Sequence, residues 1–322
     1  MTWRLPPPRT TSTDGATPTR RPATVAPRPG HIVERTIKSD RTVVRCGMQS
    51  RSAAEELRGV IPDLQALALM PVPAPWPEDV DPGTAAAVGL PPLSRAKTLY
   101  YRPYPGRPTD DAPFFWDVTS RAIHRQNADG AWAPTEPTAA PQFIGVCIHG
   151  RKDVCCGTRG GAFMRRVQKL APGAPVYGVS HLGGDRFSVN AVVLPSGYLL
   201  GRVDDLDDEA LLDLLETGLL PLSHVRGRLG STPAEAVAEI WYRERFARRD
   251  PGGMPTVKAV SPVEQAPDRH EVLVTDANRR FRLDLGREQQ GDTPIHYTCA
   301  ADRPSPVYRW DVRLLDEATG SS

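Results

Sequence analysis

The chain has 322 residues, a formal net charge of +2 and 39% hydrophobic residues. This length suffices for one large or two small domains with a buried core, and the near-neutral charge argues against a dedicated binder of nucleic acid or of a membrane surface. No apolar run is long enough to cross a membrane, and the first residues carry no secretory signal. We therefore expect a cytoplasmic protein without a nucleic-acid or membrane partner.

The N-terminal part of the chain is predicted to consist of an arm and an α/β region. Residues 1–38 form the predicted disordered arm, because their first thirty positions hold seven prolines, five arginines and a single acid. Within the α/β region over 39–140, the capping pattern Ser52-Ala-Ala-Glu55 predicts a helix over about 52–60. Aromatic and β-branched residues predict strands over 97–102 and 114–118.

A predicted central domain over 141–252 has the most regular pattern. It begins with a strand over 143–147, a polar loop over 149–161 and a helix over about 162–171. A second strand over 176–180, a hairpin over 187–203 and helices over about 207–217 and about 233–249 follow. This order is typical of a thioredoxin-like α/β fold, although other small α/β folds share it. Residues 253–322 form a small C-terminal β-rich part with predicted strands over 256–260, 271–275, 281–285 and 295–299.

The five cysteines are unevenly placed, since three of them lie within the segment Cys147-Ile-His149-Gly-Arg-Lys-Asp153-Val-Cys155-Cys156-Gly157. A disulfide framework would spread its cysteines along the chain, whereas this clustering in a reducing compartment indicates a metal, a cluster or thiol chemistry. The segment follows a predicted strand and opens a predicted helix, whose N–H groups and positive end would stabilise a thiolate. The two remaining cysteines, Cys46 and Cys299, are isolated in the sequence and are predicted to be buried structural thiols.

A second motif, His181-Leu-Gly-Gly-Asp185-Arg186-Phe187, ends the next predicted strand. It can therefore lie beside the cysteine loop. Its two glycines allow close approach of the backbone without a Cβ clash, so that the histidine and the aspartate could both face one ion or cluster.

Together, the motifs Cys-x-His-Gly-x-x-Asp-x-Cys-Cys and Ser-His-Leu-Gly-Gly-Asp-Arg-Phe resemble those of the sucrase/ferredoxin-like family. The resemblance covers about 40–300 and is most specific over 145–203. It implies a thioredoxin-like [2Fe–2S] ferredoxin core in which two cysteines nine positions apart hold one iron. These positions correspond to Cys147 and Cys156.

The same resemblance implies that two histidines in a His-x-x-x-His pattern hold the second iron. The first corresponds to His181, while the second position is occupied here by Asp185. We expect Asp185 to be the fourth ligand, with Cys155 and His149 as reserve ligands. Imidazole ligation raises the potential of a cluster, as in Rieske centres, and a carboxylate would partly lower it again.

The predicted function is therefore electron transfer with an unidentified redox partner protein, as a carrier rather than as a catalyst with its own substrate. Two alternatives remain open. In one, Cys155 cycles through a disulfide with Cys156 or Cys147 as a thiol-disulfide redox enzyme. In the other, Cys147, His149, Cys156 and His181 form a zinc-binding structural module.

Overall fold

The computed structural model describes residues 45–87, 89–103, 112–136, 138, 140–263 and 266–319. The predicted arm over 1–38 lies outside these residues. The helices are α1 (Cys46–Ser52), α2 (Gly83–Ala87), α3 (Val154–Leu170), α4 (Asp208–Leu212) and α5 (Pro233–Arg245). The strands are β1 (Ala66–Pro71), β2 (Ala96–Pro103), β3 (Phe114–Asp117), β4 (Ile123–Gln126), β5 (Trp132–Pro134), β6 (Phe143–Cys147), β7 (Val176–Val179), β8 (Ala191–Leu194), β9 (Tyr198–Leu200), β10 (Val225–Arg228), β11 (Thr256–Val263), β12 (Ala266–Thr275), β13 (Arg279–Gln289) and β14 (Tyr308–Thr319).

Within the described residues, ten strands form one mixed sheet in the order β10-β9-β8-β6-β7-β2-β1-β3-β4-β5. Strand β6 runs parallel to β7 on one side and antiparallel to β8 on the other, and β8 and β9 form a hairpin. The helix α3 connects β6 to β7. This connectivity is the one expected of a thioredoxin-like core, and the predicted α/β class is confirmed.

The sheet continues beyond this core, because β7 pairs antiparallel with β2 and β2 pairs parallel with β1. Strands β1 to β5, which precede residue 140, thus share one sheet with β6 to β10, which follow it. The predicted domain limits stay a prediction. No helix in the described ranges combines the length and the apolarity needed to cross a membrane.

Helix α3 positions the cysteine loop, and its sequence explains both its start and its packing. Asp153 is the N-cap residue, and its carboxylate accepts hydrogen bonds from the backbone N–H groups of Cys155 and Cys156 at 2.8 and 3.3 Å. At helical spacing, the buried side chains of Phe163, Met164 and Val167 face the main core beneath β6.

A second, four-stranded antiparallel sheet is formed by β11 to β14. Helix α5 covers it, packing Val237 and Tyr242 on a small core that includes Val272, Phe281 and Leu283. A capping box formed by Thr232 and Glu235 starts this helix.

Two sequence predictions outside the core are wrong. The predicted helix over 52–60 is replaced by α1, which ends at Ser52, because Glu55 makes tertiary contacts instead of a local cap: it accepts hydrogen bonds from Arg186 and Ser50, each at 2.7 Å. The predicted strand over 295–299 is a loop, held by an isolated bridge between Ile295 and Ser305.

Candidate metal centre

The two sequence motifs meet at one edge of the large sheet. Cys147 is the last residue of β6, and His181 follows Val179, the last residue of β7, by two positions. Because β6 and β7 are parallel neighbours, their carboxyl ends lie side by side, and the start of α3 returns over the same edge. The structure therefore brings the cysteine loop and the histidine turn together.

The four predicted ligands form a chain of pairwise contacts, and we call them the Cys147 group: Cys147, Cys156, His181 and Asp185. Oδ1 of Asp185 lies 3.5 Å from Sγ of Cys156 and 3.0 Å from Nδ1 of His181. The thiol of Cys147 lies close enough to Cys156 and His181 for both to lower its pKa. Cys147, Cys156 and Asp185 are buried, whereas the side chain of His181 is 22% exposed.

The Cys147 group favours a thiolate at Cys147. The Cys156 thiol donates to its sulfur and holds the pKa of Cys147 well below its usual value, and the His181 ring and the N–H groups of His149 and Leu182 add to this effect. Conversely, the hydrogen bond to Cys147 raises the pKa of Cys156. Burial lowers the pKa of His181, but its contacts with Asp185 and Cys147 prevail and raise it to about 9. A thiolate is the form of cysteine that binds metals.

One polar atom of the Cys147 group lacks a hydrogen bond. In the described part of the chain, Nδ1 of His181 is buried and has no aligned hydrogen-bond partner, although the Asp185 carboxylate stands at ion-pair distance. Buried polar atoms normally find a partner, so this atom is available as a metal ligand. The reserve ligand His149 is similar: its Nδ1 is orphaned, while its Nε2 lies 2.7 Å from the carbonyl oxygen of Pro77.

A fully buried guanidinium holds the turn between His181 and Asp185. Arg226 Nη1 donates to the Gly183 carbonyl and to Asn190 Oδ1, each at 2.9 Å. Gly184 has φ +77°, and a Cβ atom there would lie 2.5 Å from Arg226 Nη2. The turn therefore needs glycine both for its backbone conformation and for the approach of the arginine.

The adjacent cysteines at the start of α3 contact different partners. Cys156 belongs to the Cys147 group, whereas Cys155 contacts two thiols that are remote in sequence. We call this second set the Cys299 group: Cys46, Asp153, Cys155 and Cys299. Their ligand atoms all lie within 4.8 Å of one another, and the arrangement could hold a metal ion.

Cys46 and Cys299, which are isolated in the sequence, lie together in the structure: Cys46 is buried, as predicted, whereas Cys299 is half-buried. Their sulfurs are 3.5 Å apart, and Sγ of Cys299 lies 3.4 Å from Sγ of Cys155. Sequence reasoning missed this group because its members come from the start of α1, the start of α3 and a C-terminal loop. All five cysteines are free.

The comparison with family models gives one match, over residues 31–227, to the Suc_Fer-like model, which describes sucrase/ferredoxin-like proteins. The match covers more than half of the chain. The chain belongs to the sucrase/ferredoxin-like family. The matched part of this family member contains the whole Cys147 group and ends before Cys299. Searches of curated proteins and of solved structures gave no match.

Proposed function

We propose that this member of the sucrase/ferredoxin-like family is an electron-transfer protein that carries a [2Fe–2S] cluster held by Cys147, Cys156, His181 and Asp185. The observation that carries the proposal is the chain of contacts that links these four side chains, which lie at the carboxyl ends of β6 and β7, at the start of α3 and in the turn at Asp185. When bound, such a cluster supplies one-electron redox chemistry, so the chain would act as a carrier for a partner protein.

The donor set fits a cluster of this kind. Two thiols, one imidazole and one carboxylate are present, the Cys147 thiol favours the thiolate form, and Nδ1 of His181 is buried without an aligned hydrogen bond. Mixed sulfur and imidazole ligation is known from Rieske centres. The backbone N–H groups of His149 and Leu182 lower the pKa of the Cys147 thiol and would stabilise its negative charge.

Two cations near the Cys147 group would favour electron uptake. Arg226 is fully buried, and burial lowers its pKa to about 10, so that it still carries a positive charge at pH 7. Lys97 lies close enough to Cys147 and Asp185 for their charges to act on its pKa, which burial lowers. A nearby positive charge stabilises the reduced, more negative state and raises the potential.

His181 is the most exposed member of the Cys147 group, and we infer that electrons enter and leave on its side. An imidazole ligand with a solvent-accessible edge would also make the potential depend on pH. The five free thiols suit a reducing compartment, and we propose a cytoplasmic location on that ground.

The vicinal cysteines provide a matched test. We expect anaerobically purified wild-type protein to contain iron and acid-labile sulfide and, after reduction, to give the EPR signal of a [2Fe–2S] cluster. Cys156→Ser should lose iron and sulfide, whereas Cys155→Ser, one residue away on the same helical turn, should keep both. A wild-type protein without sulfide, or iron loss in Cys155→Ser alone, would contradict the proposal.

A further inference from the structure

Three thiols outside the Cys147 group meet at one point, although they are far apart in the sequence. Cys46 begins α1, Cys155 lies in the first turn of α3, and Cys299 lies in the loop between β13 and β14. Cys46 and Cys155 are buried, and Cys299 is half-buried. Because a thiol is a weak hydrogen-bond donor, mutual thiol contacts alone give little reason to bring these segments together.

The distances within the Cys299 group match those of a tetrahedral metal site. Sγ of Cys299 lies 3.4 Å from Sγ of Cys155 and 3.5 Å from Sγ of Cys46. Around a zinc ion with Zn–S bonds of about 2.3 Å, the edge of an ideal tetrahedron between two sulfurs is about 3.8 Å. Only a small expansion of the sulfur triangle would be needed to accommodate the ion.

Asp153 supplies the fourth donor. Its Oδ2 lies 3.6 Å from Sγ of Cys46, and its Oδ1 lies 3.4 Å from Sγ of Cys299. The same carboxylate caps α3 and accepts the N–H of Cys299 at 2.7 Å, which fixes its orientation toward the three sulfurs. Each carboxylate oxygen has two lone pairs, so these hydrogen bonds leave capacity for a metal.

We propose that Cys46, Cys155, Cys299 and Asp153 form a second metal site, which holds a structural zinc ion and is separate from the cluster site. Three thiolates and one carboxylate select a soft or borderline cation, and a closed four-donor set in a largely buried position is typical of structural zinc. The ion would join α1 and the C-terminal loop to the start of α3.

The segments around the Cys299 group already contact one another through other side chains. The N–H of His296 donates to Gln49 Oε1 at 2.8 Å, and the guanidinium of Arg186 lies 3.7 Å from the centre of the Tyr297 ring. The loop that carries Cys299 is thus folded back onto α1 and onto the turn that follows Asp185. A bound zinc would hold this loop against α1 and against the turn that follows Asp185.

Zinc content, measured together with iron and sulfide in the full-length chain, tests the proposal. We expect one zinc per chain in the wild type, with zinc lost and iron and sulfide kept in Cys46→Ser and Cys299→Ser. His296→Ala is the matched control, because it removes the contact of the His296 ring with Gln49 Oε1 at 3.1 Å but no sulfur, and it should keep its zinc.

A second measurement does not depend on the folding of a variant. After zinc is removed from wild-type protein by a chelator, the thermal midpoint should fall and recover when Zn²⁺ is added. Added Co²⁺ should give the wild-type protein the absorption bands of tetrahedral cobalt with thiolate ligands.

The possible contrary results separate this site from the cluster site. Wild-type protein that holds no zinc and takes up no Co²⁺, or a disulfide between Cys155 and Cys299 in freshly purified protein, would overturn the zinc site alone. Iron and sulfide that disappear in Cys299→Ser but remain in Cys156→Ser would overturn both proposals. Iron loss in Cys156→Ser with zinc retained supports both.

Discussion

Gly160 in α3 allows the helix to approach the end of β6, and replacing it by alanine tests this contact. A Cβ atom at position 160 would lie 2.3 Å from the carbonyl oxygen of Cys147, whereas real Cβ atoms essentially never come within 3.0 Å of another heavy atom. In Gly160→Ala, the helix and the strand end must therefore separate by about 0.7 Å. The partner atom belongs to the backbone, so no side-chain rotation relieves the clash.

The neighbouring Gly161 separates the steric cost from the effect on helix propensity. A Cβ atom at position 161 would meet only the end of the Arg165 side chain, at 3.8 Å. Replacing glycine by alanine inside a helix raises the free energy of unfolding by about 0.5–1 kcal/mol at either position. At position 160 alone, overpacking lowers it by about 1–3 kcal/mol. We expect Gly161→Ala to be more stable than the wild type and Gly160→Ala to be less stable.

Urea unfolding followed by far-UV circular dichroism measures both variants. Their free energies of unfolding should differ by about 1–3 kcal/mol, because the gain in helix propensity is common to both. Iron content should also fall in Gly160→Ala, since displacement of α3 carries Cys156 away from Cys147. Equal stability of the two variants would refute the close packing of α3 on the end of β6.

Two further predictions concern regions away from the cysteines. Glu239 is buried and pairs with the buried Arg228 and Arg243 at 3.1 and 3.0 Å, so Glu239→Ala should lower the free energy of unfolding by about 3–5 kcal/mol in a urea titration; a loss below about 1 kcal/mol would contradict a buried pair. Although burial opposes it, hydrogen bonds from Tyr242 and from backbone N–H groups lower the pKa of Asp276 from 3.8 to about 2. The stability advantage of wild type over Asp276→Asn should therefore be fully present above about pH 4 and disappear as the pH falls through about 2; unfolding titrations at pH 7 and pH 2 that give the same difference would contradict it.

The Cys147 group could be predicted from the sequence because its geometry depends on short-range features. Each motif follows directly after an apolar strand, and consecutive strands joined by one helix are usually parallel neighbours. Their carboxyl ends then meet, so that Cys147 and His181 come together without knowledge of the rest of the fold. Asp153 caps the start of α3 and Gly184 shapes the turn after His181, both by local rules.

The Cys299 group could not be predicted in this way. Cys299 lies in an irregular loop between β13 and β14 of the second sheet, 144 residues from Cys155. The direction of such a loop depends on packing between distant segments, which the sequence does not display. The helix predicted from the capping pattern at Ser52 fails for the same reason. Glu55 accepts a hydrogen bond from the distant Arg186 at 2.7 Å instead of capping a local helix.

The adjacency of Cys155 and Cys156 explains how one helix start can serve two groups. Successive residues of a helix are rotated by about 100°, so the two thiols of a vicinal pair point to different sides, and they cannot easily share one small site. Both nevertheless lie in the first turn of a 17-residue helix, where the helix dipole stabilises negative charge on either sulfur. The hydrogen bond from Cys46 lowers the pKa of Cys155 to about 6, so that this second sulfur, like that of Cys147, favours the thiolate. The adjacent cysteines thus serve different groups: Cys155 belongs to the Cys299 group and Cys156 to the Cys147 group, and each group has a sulfur that favours the thiolate.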